Sequence, residues 1–114
     1  MLTERQVGQT GQAALMKMKG SGWTLDVWDN CGWHFALRNG PISVYCNNSK
    51  YSALLAASGD PGVGETYWTD NEHFDDPNEA VEHQLQLARN HIAECQAAVD
   101  AVTNAIAAEW VARV

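Results

Sequence analysis

Apolar and polar positions alternate with a period of two through residues 23 to 46. In "WTLDVW" Trp23, Leu25 and Val27 share one face, with Thr24 and Asp26 on the other. "WHFALR" repeats the pattern, setting Trp33, Phe35 and Leu37 against His34 and Arg38, and "ISVYC" turns Ile42, Val44 and Cys46 inward. Strict alternation predicts strands with one covered face and one wet face, the antiparallel pattern. The intervening "DNCG" and "NGP" hold residues that tolerate positive φ, so the three strands are expected to form a meander joined by tight turns. "YSALLAA" (51 to 57) fits a fourth strand or a short helix equally, because Ala and Leu serve both. A loop rich in Gly and Pro follows at 59 to 64, and "ETYW" after it offers a short edge strand.

At both ends the period changes to that of a helix. Residues 3 to 19 place Val7, Gly11, Ala14, Leu15 and Met18 near one face, behind Thr3 as N-cap and Glu4 in the first turn. Gly8 and Gly11 each weaken that helix by about 1 kcal/mol relative to Ala. Gly20-Ser21-Gly22 ends it. Near the other terminus, Asp76-Pro77-Asn78-Glu79 provides an Asp cap, Pro at the first helical position and Glu at the third. Thereafter Val81, Leu85, Ala88, Ile92, Cys95, Val99, Val102 and Ile106 recur at alternating four- and three-residue steps. A helix from about 77 to 112 would be ~50 Å long, whereas a six-residue strand covers ~20 Å. One sheet is too short to hide that stripe. Either the helix breaks between Asp100 and Asn104, or its far half packs on a second copy. Trp110 and Val111 prolong the apolar surface and favour the second outcome, with Val102, Ile106 and Trp110 as the self-association residues. The expected fold is a single α+β domain over residues 1–114: a three- to four-stranded antiparallel sheet packed against a long C-terminal helix, with an N-terminal helix beside it.

Composition changes this picture little, and charge changes it more. The 114 residues suit one domain, and no run approaches the ~18 apolar residues of a membrane span. "MLTERQVGQTGQ" lacks the basic-then-apolar order of a secretory signal, so a soluble cytoplasmic protein without membrane contact is expected. Three cysteines (Cys31, Cys46, Cys95) without C-x-x-C spacing read as free thiols. The net charge of −7 is concentrated in one third of the chain. Residues 51 to 88 hold Asp60, Glu65, Asp70, Glu72, Asp75, Asp76, Glu79 and Glu82 with no Lys or Arg. Clustered phosphate contacts need clustered bases, so direct nucleic-acid binding is disfavoured and a basic protein surface is favoured.

Motifs for chemistry are few. The acids from Asp70 onward fail as an EF-hand, because the sixth and twelfth positions hold Asp75 and Val81 instead of Gly and Glu. His91 and Cys95 stand one helical turn apart, but no second pair at zinc-ligand spacing accompanies them, and Cys95 on the apolar stripe reads as a buried thiol. There is neither a G-x-S-x-G elbow nor a P-loop. The expectation is a non-enzymatic protein without cofactor or metal. Asp60, Glu65, Asp70, Glu72, Asp75, Glu79 and Glu82, with Tyr67 and Trp68 as aromatic anchors, form the first candidate binding surface. The outward strand residues Trp28, His34, Arg38 and Tyr45 form a second. A solvated acidic loop that only maintains solubility is the plainer alternative for the first.

One order of features is similar to that in some type I anti-CRISPR proteins, which are small and phage-encoded. These are Gly22-Trp23 entering a strand, the Asp29-Asn30 to Gly32 turn, Ala36-Leu37 with Asn39-Gly40, and the Pro77 to Ala80 helix start, spanning residues 22 to about 95. The first helix and the length of the last one depart from that pattern. The resemblance implies an inhibitor that binds a Cas subunit or effector complex in the host bacterial cytoplasm, its carboxylates standing in for phosphates against Lys and Arg. A self-associating phage structural or assembly protein is the alternative.

Overall fold

The computed structural model describes residues 2–56 and 72–112, with side chains as far as Glu109. The order is α1 (Glu4–Lys17), β1 (Thr24–Asp29), β2 (Trp33–Asn39), β3 (Ile42–Asn47), β4 (Lys50–Leu55) and α2 (Pro77–Ala112). The strands form one antiparallel meander in the order β1-β2-β3-β4. This is an α+β arrangement.

Thr3 caps α1 through a reciprocal capping box. Its Oγ1 accepts from the Gln6 backbone N–H at 3.2 Å, and the Gln6 Oε1 accepts from the Thr3 N–H at 2.9 Å. Of "YSALLAA", the residues Tyr51 to Leu55 resolve as strand, because Lys50–Leu55 continues the meander with Val44 opposite Ala53 and Asn47 opposite Lys50. That last pair leaves only Asn48 and Ser49 in the turn, with φ of 52° and 64°. Both are left-handed, as the tightest hairpin connection requires. The edge strand expected at "ETYW" lies outside the described residues. Beyond β4, Phe74 makes a single antiparallel bridge to Tyr51, with N–H to O=C distances of 2.7 and 2.8 Å.

The core lies on the face predicted by the alternation. Leu37 and Val44 are fully buried there, joined by Phe35, Ile42 and Ala53 from the strands, Val7 and Ala14 from α1, and Ala80 from α2. Helix α1 lies over β1 and β2, while α2 lies over β4 and touches β3. Gly11 allows the first approach: a Cβ there would stand 2.6 Å from Leu25 Cδ1 and 3.1 Å from Phe35 Cγ. The two helices are tied by Asn78. Its Oδ1 accepts from the Lys19 N–H and its Nδ2 donates to the Lys17 carbonyl, both at 2.9 Å. One side chain thereby satisfies groups left open at the end of α1. Asp76 caps α2 as expected, accepting from the Asn78 N–H at 2.9 Å.

Of the two alternatives for the long stripe, a break in α2 between Asp100 and Asn104 is absent. The helix runs unbroken for 36 residues, and Thr103 Oγ1 donates back to the Val99 carbonyl at 2.7 Å. A short sheet and an unbroken helix leave a projecting arm, and the molecule measures 71 × 25 × 24 Å.

Candidate functional site

The acidic surface is described only in part. Asp60, Glu65, Tyr67, Trp68 and Asp70 lie outside the described residues. Glu72, Asp75, Glu79 and Glu82 are all exposed, around the bridge at Phe74 and the first turns of α2. Asp75 forms an ion pair with Lys50, which stands just before the acid-only stretch in sequence and beside it in space. Both partners are well exposed, so the pair adds little stability. Phe74 is half-buried against the core, its ring 5.1 Å from that of His83. An aromatic group from the acidic stretch therefore serves packing.

The second candidate surface is brought together as expected. Trp28 and His34 are cross-strand partners with ring centroids 5.9 Å apart, and Tyr45 meets Trp28 edge-on at 6.4 Å. Arg38 lies 5.8 Å from the Trp28 ring centroid and 5.7 Å from that of Tyr45. Its guanidinium donates to Asp26 Oδ2 at 3.1 Å, to Ser43 Oγ at 2.9 Å and to Tyr45 Oη at 3.3 Å. Burial works against the Arg38 charge, but Tyr45 and Asp26 together raise its pKa above the ordinary value. Ala36 and Ser43 on this same face are buried. The face predicted to meet water is thus roofed at its centre by a planar cation held between two rings. Asp26 and Ser43 complete the cluster, and the alternation of β1 and β3 already put both on that face.

Between the start of α1 and the β3–β4 turn lies an open cleft of about 470 Å³, with Val7, Trp33, Phe35 and Cys46 among its walls and Asn48 and Ser49 at its rim. Burial pushes the Cys46 thiol above its ordinary value of 9.0, with a smaller opposing effect from a backbone hydrogen bond at Ser49. At neutral pH the thiol therefore stays protonated, the unreactive form. Among the described residues no three potential ligands gather to hold a metal.

The third surface is the free half of α2. Val81, Leu85 and Ala88 of the stripe pack on the sheet as expected. Beyond Ala88 the cover ends: Ile92 is 61% exposed, Val99 57%, Val102 60% and Ile106 53%. The Trp110 side chain lies outside the described residues. Cys95 is exposed, which corrects the expectation of a buried thiol; the stripe continues there, but the sheet does not. Its Sγ lies 3.6 Å from His91 Nε2. At about 100° per residue, Gln84, Ala88, Cys95, Val102 and Ile106 fall within an arc of about 40°. One face of one helix thus faces its own sheet in its first half and open solvent in its second. No described helix is long and apolar enough to cross a membrane.

Comparison of the chain with protein-family models, curated proteins and solved structures gives no match.

Proposed function

We propose that this chain is a non-enzymatic protein-association module, acting as a self-associating accessory or assembly protein whose free half of α2 receives a second copy. The single observation behind this reading is the exposure of Ile92, Val99, Val102 and Ile106 on the continuation of a core-forming stripe. Isolated helices gain most of their stability from packing an amphipathic face, and a sustained heptad pattern is the form in which identical helices pack. The flanks of the stripe suit an identical partner. Ala98 and Ala105 border one side and Gln96 and Thr103 the other, so these flanking positions carry no charge. The test is sedimentation of the protein beside Val102→Asp. The variant is expected to weaken association at least about 100-fold, since an unpaired carboxylate would be buried in the seam. Equal association by both proteins would overturn the reading.

A second reading is favoured by the charge. Glu72, Asp75, Glu79 and Glu82 are exposed within a short span of chain at the start of α2. Under this reading they contact a basic protein surface, as in the anti-CRISPR-type inhibitors that the sequence resembles, with a Cas subunit or effector complex as target. Glu72→Gln, Asp75→Asn and Glu82→Gln together would then abolish capture of such a complex and leave self-association unchanged. Capture that survives these changes and high salt would contradict it.

A further inference from the structure

The apolar stripe does not rotate away from the sheet as α2 leaves it. Gln84 and Ala88, which are buried against the molecule's own body, share their face with Cys95, Val102 and Ile106. A partner helix must therefore lie on the side of α2 that the sheet already occupies. If two copies ran parallel and in register, each sheet would claim the space needed by the other. Running antiparallel, the two bodies sit at opposite ends and only the free halves overlap. Charge selects the same arrangement. Glu109 falls about 20° from Val102 around the helix, so a parallel pair would set it against its own copy, a repulsive contact.

Resting on the self-association reading, we infer that the second copy binds antiparallel, on a twofold axis that passes between the two helices at the level of Asp100 and Ala101. This register stacks Val99 on the partner's Val102 and Cys95 on the partner's Ile106. It sets Glu109 beside the partner's Ile92, one turn from the partner's Arg89. Ala112 of α2 then lies opposite the partner's Arg89, one residue past the last position that the sheet buries, Ala88. Sliding the copies further together would drive the Ala112 turn of each helix into the other's sheet. Sliding them apart would uncover apolar layers. The contact is isologous, with the same residues contributed by both copies, so it closes as a dimer and does not propagate.

Small-angle scattering of the intact protein, at concentrations where sedimentation shows a dimer, tests the orientation. Two bodies 71 Å long sharing about 36 Å of helix give a particle of about 105 Å. A dimer no longer than one chain would overturn the antiparallel arrangement and leave self-association standing. A monomer at every concentration would remove the self-association reading itself. Oxidative cross-linking provides an independent readout. In a Cys31→Ser, Cys46→Ser background, adding Ile106→Cys is expected to link the chains covalently through Cys95. The same background with Cys95 alone is expected to stay unlinked, because the two thiols lie about 16 Å apart along the axis. Efficient linkage through Cys95 alone would place the helices in parallel and overturn the inference.

Discussion

Gly8 and Gly11 sit three residues apart in α1 and are expected to respond oppositely to the same change. Nothing lies within 4 Å of a Cβ built at Gly8, so Gly8→Ala gains helix propensity and raises stability by about 0.5–1 kcal/mol. At Gly11 the added methyl meets Leu25 and Phe35, and overpacking of about 1–3 kcal/mol outweighs that gain. Urea denaturation of the two variants reads both signs. The sequence pattern showed Gly11 on the inward face, but the closeness of the sheet depends on the packing. Titration also acts at this scale. Burial raises the pKa of Cys46, and that of Tyr51 too, where Cys46 and Asp76 add to the effect. Folding therefore favours the protonated forms. The resulting stability is complete below the unfolded values of 9.0 and 10.0 and is lost as pH rises through the folded ones. Thermal melts are expected to fall with pH above about 9, and less steeply in Cys46→Ala.

At the scale of elements, Asn78 carries more than its position in a helix start suggests. It closes the end of α1 with two hydrogen bonds while sitting in the first turn of α2. Asn78→Ala is expected to cost about 1–2 kcal/mol, measured by the denaturation midpoint, and to raise hydrogen exchange at Lys19. Strands β1 to β3 were legible because alternation and turn residues agreed. Strand β4 was not, since Ala53, Leu54 and Leu55 suit either element; its strand state follows from pairing with β3. The Asn48-Ser49 turn carried no strong signal, because Asn-Ser lacks the glycine that marks most two-residue hairpins. The aromatic and Arg38 cluster was foreseen as a patch, whereas its hydrogen bonds to Asp26 and Ser43 depend on strand register. Phe74 stands among acidic neighbours in sequence, yet its bridge to Tyr51 turns it onto the core.

Over the whole molecule, an ordinary sheet-and-helix body continues into an arm that the body does not cover. Periodicity revealed the stripe and its excess length over the sheet. It carried no information on whether the helix broke, because Asp100 to Asn104 are compatible with either outcome and only the unbroken helix shows where cover ends. Ile92, Val99, Val102 and Ile106 of the stripe remain more than half exposed, and each would gain about 1 kcal/mol from being covered. Substitutions there act on association and leave the isolated chain almost unaffected, in contrast to those at Gly11 or Asn78. Sedimentation of the unaltered chain from low to high micromolar concentration, beside Val102→Asp, tests the central claim most directly. The expected result is a concentration-dependent shift from 12.5 kDa toward twice that mass, absent in the variant, with both proteins melting alike when dilute. A chain that stays at 12.5 kDa throughout, or a variant that dimerises as well as the original, would contradict it.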